Sequence, residues 1–189
     1  MRHVAWLVLA ACGRLEFAER APARVDVPAS VAACIDPKQP DPAACESFNG
    51  GGQLVVDEMD STTHDPWNSY VRFELPDSLR GRHVAAVTLE VTATDDARAP
   101  GTSTGTVWRV APFSLADLGV AAPALLDAAP LAGSQGAVVQ DQVIDWPLPV
   151  SVIVPRAPVC LALLGDAVDG VNYWNLDGPA PPRLMIDIE

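Results

Sequence analysis

The sequence predicts an all-β protein built as an antiparallel β-sandwich. Three observations carry this prediction: several segments alternate apolar and polar residues, turn chemistry recurs about every ten residues, and helical periodicity is nearly absent. Alternation is cleanest in Tyr70–Leu75, whose apolar face is Val71, Phe73 and Leu75. The same pattern sets Val87, Leu89 and Val91 on one face, and Leu184, Ile186 and Ile188 on another. Read in order, the expected strands are 54–57, 70–75, 84–94, 106–111, 142–148, 151–154, 159–164, 171–174 and 183–188. Turn residues separate them: Pro76-Asp77, Arg80-Gly81, Asp95-Asp96 through Pro100-Gly101, Gly165-Asp166, Asp169-Gly170 and Asp177-Gly178-Pro179. Only 114–129 has leucines at helical spacing, and Gly119 and Pro123 interrupt it, so it reads as a loop with one or two short turns. No repeat of propeller or solenoid length occurs.

Composition narrows the function classes. At 189 residues and 49% apolar, the chain suits one domain with a substantial core. Twelve basic residues against 24 acidic ones leave a formal charge of −12, which repels phosphate backbones and argues against a nucleic-acid partner. No apolar stretch reaches the roughly eighteen residues of a spanning helix. Residues 1–11 read instead as a secretory signal: a basic start, the apolar run Val4–Ala11, then a cut site. Leu9-Ala10-Ala11-Cys12 resembles the bacterial lipobox, which implies that Cys12 is lipidated and begins the mature chain. Gly13 stands where an inner-membrane retention signal would place Asp, so the expected location is the outer membrane or the extracellular surface. The competing reading is an ordinary signal cut nearby. Membrane contact is then expected through the lipid anchor only.

Residues 12–52 are expected to form a short disordered tether, because Pro22, Pro28, Pro37, Pro40 and Pro42 interrupt any regular element and Gly50-Gly51-Gly52 ends the segment. Residues 53–189 then form the sandwich. Within the tether, Cys34 and Cys45 bracket a Pro-rich loop, and a disulfide there would contribute about 2–3 kcal/mol. A metal site lacks the Cys-x-x-Cys or paired-His spacing it needs. Cys160 lies in an apolar run and reads as a buried, inert thiol.

The order of strands carries a family resemblance. Tyr70-Val71-Arg72-Phe73-Glu74-Leu75-Pro76, Ala86–Val91 and Gly105–Val110 form one half; Ile144-Asp145-Trp146, Val171–Asn175 and Pro182-Arg183-Leu184 form the other. Together these resemble the DNRLRE, or disaggregatase-related, domains of secreted bacterial and archaeal proteins over residues 53–189. The resemblance implies a jelly-roll-like β-sandwich, in some members a carbohydrate-binding module. The family's aromatic-x-Ser-Arg-Glu segment is replaced here by Tyr173-Trp174-Asn175-Leu176-Asp177, so no ligand role attached to it carries over.

Sugar rings stack their C–H faces on aromatic side chains while neighbouring polar groups bond the hydroxyls. Trp67, Tyr70, Tyr173, Trp174 and Asn175 are therefore the candidate ligand-binding residues. Tyr173 and Trp174 must point to opposite faces of a strand, so one of them points outward. An anionic polysaccharide would need Arg72, Arg109 or calcium to offset the chain's acidity. No cofactor is expected beyond a structural calcium, with Asp57, Asp60 and Asp65, or Asp166 and Asp169, as its candidate ligands. Gly101-Thr102-Ser103-Thr104-Gly105 matches the hydrolase elbow pattern, but a turn precedes it and a strand follows, so it reads as a hairpin loop. His64 and His83 offer no ordered base, and no catalytic residues are expected. The sequence thus points to a non-catalytic, surface-anchored lipoprotein binding envelope or extracellular polysaccharide. The alternative is a structural or adhesion component that meets another protein.

Overall fold

The computed structural model describes residues 23–47, 51–58 and 66–189. The segment expected to be a signal, Cys12, Asp60, His64 and Asp65 lie outside them. The strands are β1 (Ala23–Pro28), β2 (Val31–Ile35), β3 (Gln53–Val56), β4 (Asn68–Phe73), β5 (Val84–Thr92), β6 (Thr106–Arg109), β7 (Val143–Leu148), β8 (Val159–Leu164), β9 (Val171–Trp174) and β10 (Arg183–Ile188). Two short α-helices, α1 (Pro42–Ser47) and α2 (Leu115–Leu118), and two 3-10 turns, Asp77–Leu79 and Val150–Val152, complete the described elements. One four-stranded sheet runs β1-β10-β5-β7, a second runs β2-β4-β8-β6, and β3 pairs with β9 alone. All seven strand pairings are antiparallel. From β4 to β8 the chain changes sheet at every connection, and the first strand lies beside the last. This is the wrapping of a jelly-roll-like sandwich, as expected.

Alternation decides which residues meet between the sheets. Val87, Leu89 and Val91 of β5, Ile144, Trp146 and Leu148 of β7, and Leu184 and Ile186 of β10 supply one side of the core. Val71, Phe73, Val107, Leu161 and Leu163 supply the other, and Leu54, Val56, Val171 and Tyr173 join from the small sheet. A smaller cluster lies on the far face of the second sheet, where Val110, Phe113 and Leu118 cover Tyr70, Cys160 and Ala162. Strand β8 is therefore buried on both faces, which is why it reads as an unbroken apolar run. The covering segment is held by α2, whose Ser114 and Asp117 form a reciprocal capping box.

Two expectations are corrected. Residues 23–47 are not a tether: β1 pairs with β10 through six residues and β2 pairs with β4 through five. Their prolines sit where proline costs least. Pro28 ends an edge strand, Pro42 opens α1, Pro37 takes the first central position of the Asp36–Gln39 turn, and Pro40 follows that turn. The Cys34–Cys45 disulfide is present, but it fastens α1 to β2 in a buried cluster with Val55. The second correction concerns 151–154, expected as a strand. It holds part of a 3-10 turn at Val150–Val152, flanked by Pro149 and Pro155, with only Val152 buried.

Candidate functional site

Strand β3, together with Asp57 just past its end, organises the candidate site through partners on both sides. On one side Gln53 faces Trp174 and Val55 faces Asn172 of β9. On the other, Asp57 and Trp67 exchange backbone hydrogen bonds of 2.9 and 3.1 Å. Cross-strand partners share a face. Gln53, Val55, Asp57, Trp67, Asn172 and Trp174 therefore share the outer face, while Leu54, Val56, Val171 and Tyr173 enter the core. The two indoles sit at opposite ends of β3, about 13 Å apart along the strand at its usual rise.

The neighbours hold these groups in place. Val55 is buried under the disulfide, and half-buried Trp67 packs on that cluster. Trp174 is half-buried, and Gly178 lies against its indole so closely that a Cβ there would come within 2.7 Å of the ring. Gln53 is buried, and its Oε1 accepts no hydrogen bond. Hydrogen bonds from Arg98 hold the Asp96 carboxyl well below the usual carboxylate range, with the Gln53 side chain adding to the effect. Asn175 is also buried; its Oδ1 accepts from the Asp177 N–H at 2.8 Å and its own N–H donates to Gly52 at 3.0 Å.

Two cavities adjoin β3, and neither is lined by Trp67 or Trp174. One of about 210 Å³ is lined by Val55, Asp57, Arg98, Asp169 and Asn172. A larger one of about 420 Å³ lies toward α1, lined by Asp41, Gln53, Asn175, Leu176 and Asp177 among others. The two half-buried indoles stand at the ends of a face whose middle, Gln53, Val55 and Asn172, is buried, and amide and carboxylate groups line the cavities beside it, a combination that suits hydroxyl-rich ligands.

Three of the five sequence candidates therefore border this face, and two do not. Tyr70 is only 2% exposed and meets Phe113 edge-on at 6.0 Å beneath the covering loop. Tyr173 is fully buried, edge-on to Trp146, with its hydroxyl donating to the Thr104 carbonyl at 2.9 Å. Both rings belong to the packing, so their candidacy for stacking is withdrawn, and Trp174 is the outward ring of the adjacent pair. Arg72 and Arg109 are also committed: the first bonds Glu74 and the Phe113 carbonyl, the second grips Asp127 through two nitrogens. Among the described residues, Asp57, Asp166 and Asp169 belong to no group of three metal-ligating side chains. Ser103 lies in a loop leading into β6 and bonds Ser134 and Asp166, with His83 occupied elsewhere by Glu189. Sequence reasoning missed Gln53, Asn172 and the Asp96–Arg98 pair, because only the register of β3 against β9 brings them beside the indoles. Compared with known proteins, the chain matches no family pattern and no curated sequence.

Proposed function

We propose that this chain is a non-catalytic binding module, anchored to the bacterial cell envelope through a lipidated Cys12, that takes a polysaccharide across the outer face of β3 and β9. The observation that carries the reading is the sharing of one face by Trp67, Trp174 and the unsatisfied Gln53 Oε1. A sugar ring stacks on the indole, and a hydroxyl supplies the donor that Gln53 lacks. The jelly-roll-like wrapping supports the resemblance to DNRLRE domains at the level of fold. The net charge of −12 favours a neutral glycan over an acidic one.

Affinity electrophoresis of the purified chain through neutral and anionic glycans, with and without calcium, tests the proposal. One neutral glycan should retard migration, and Trp174→Ala or Trp67→Ala should weaken retention by about five- to tenfold. Uniform migration through every glycan, or retention indifferent to both substitutions, would remove the polysaccharide reading. A second reading, a protein-binding envelope component, draws on Leu115 of α2 and on Val120, Leu125 and Leu126 of the loop after it, which are all exposed on the segment covering the second sheet. Polar substitution of Leu125 and Leu126 would then release the partner while leaving glycan migration unchanged.

A further inference from the structure

At one end of the sandwich, the connection from β4 to β5 and the connection from β7 to β8 meet around a cavity of about 270 Å³. Its floor is aliphatic: Leu79 belongs to the core, and half-buried Leu75, Val84 and Ile153 pack against that core. Arginines at 80, 82 and 156 line it, and the one carboxylate among its lining residues, Asp77, pairs with Arg80 at 2.8 Å.

This concentration of positive charge is out of keeping with the rest of the surface. Among the described residues, Arg24, Arg72, Arg80, Arg98, Arg109 and Arg183 each pair with a carboxylate. Arg82 and Arg156 do not, although acidic residues outnumber basic ones two to one. Nε of Arg82 is buried with no hydrogen-bond partner. A buried guanidinium N–H without an acceptor is costly, and an incoming oxyanion removes that cost with a charge-assisted bond. Arg156 stands in the left-handed region at φ 67°, where a long side chain is seldom found. Backbone strain of this kind gathers at ligand sites.

We propose that this cavity binds an amphipathic carboxylate: one anionic head held by Arg82 and Arg156, joined to a small apolar body lying on Leu75, Leu79, Val84 and Ile153. The aliphatic floor argues against a bare inorganic anion, which would leave it unused. Charge range argues against a polyanionic chain. The favourable field of the arginines extends about one Debye length, roughly 8 Å at physiological salt, and a longer anion would run onto a surface of net charge −12. The site shares no lining residue with the β3–β9 face, so its test stands apart from the glycan reading.

Isothermal titration of the purified chain with octanoate, sulfate and glucuronate tests the inference. Octanoate should bind saturably, at least about tenfold more tightly than either comparator. Arg82→Gln and Arg156→Gly should each weaken it by about tenfold. Arg156→Gly separates binding from folding, since it removes an exposed side chain and leaves the residue that best tolerates the left-handed backbone. Its thermal melt should therefore match that of the unsubstituted chain while octanoate affinity falls. Absence of octanoate binding, equal affinity for sulfate, or full affinity in a folded Arg156→Gly variant would each overturn the proposal.

Discussion

Tyr173 and Trp174 are neighbours in the chain with opposite fates: one ring closes the core against Trp146, the other lies on the outer face beside Gln53. Period-two geometry made the opposition legible in the sequence, but not its direction, because both side chains are large and amphipathic. The structure sets the direction through Thr104, whose carbonyl accepts the Tyr173 hydroxyl inside the sandwich. Tyr173→Phe should cost about 1–2 kcal/mol in denaturant unfolding, the value of a buried hydrogen bond, and leave glycan retention unchanged. Trp174→Ala should show the reverse balance. Gly105 illustrates a constraint of another kind. It stands at φ 74°, and an added Cβ would lie 2.6 Å from the Val56 side chain and 2.8 Å from the Leu164 carbonyl. Gly105→Ala combines left-handed strain with overpacking and should destabilise by about 2–4 kcal/mol, read from the shift in denaturation midpoint.

Among the elements, the strands with a clean alternating pattern were the legible ones: β5 and β10 bury aliphatic residues on one face and set mostly polar, half-buried or exposed residues on the other. Strands β1 and β2 were hidden because their partners, β10 and β4, lie far along the chain, and their proline-rich surroundings have the composition of a linker. They are nevertheless structural. A chain beginning at Gly51 would lose both strands, α1 and the disulfide, leaving β10 and β4 with open edges; it should lack the cooperative melt of the full chain. The disulfide itself is testable. Its cysteines are separated by 11 in sequence, so Cys45→Ala should lower stability by about 2–3 kcal/mol in chemical denaturation, mostly by loosening the unfolded chain. The site was only partly legible for the same reason as β1 and β2. Trp67, Trp174 and Asn175 stand out in the sequence as aromatic or polar residues in loop-like stretches, whereas Gln53 and Asn172 become site residues only through strand pairing.

At the scale of the whole molecule, charge governs stability. Three carboxyls at or near the surface are held below their ordinary range: Asp96 by Arg98, Asp117 by Ser114, and Asp187 by Arg24. Because their folded values are depressed, the unfolded chain takes up protons first as acid is added. Their contribution is complete above the ordinary carboxylate value near 3.8 and drains away as pH falls through the lower folded values. Repulsion works in the other direction, since a net charge of −12 relaxes toward zero near the isoelectric point of 4.4. Thermal melts should therefore be highest somewhat above that point and fall steeply below about pH 4. At pH 7, raising salt from about 10 mM to about 0.5 M should raise the melting temperature by screening the excess negative charge. Taken alone, the sequence determined the β class, most strand positions, the Cys34–Cys45 pairing and the acidic character, because each of these depends on local period, spacing or composition. The tertiary structure decided which rings face outward, that residues 23–47 belong to the fold, and that two arginines distant in sequence line one cavity. These depend on which strands become neighbours, and a jelly-roll-like wrapping makes neighbours of segments that the chain order keeps apart.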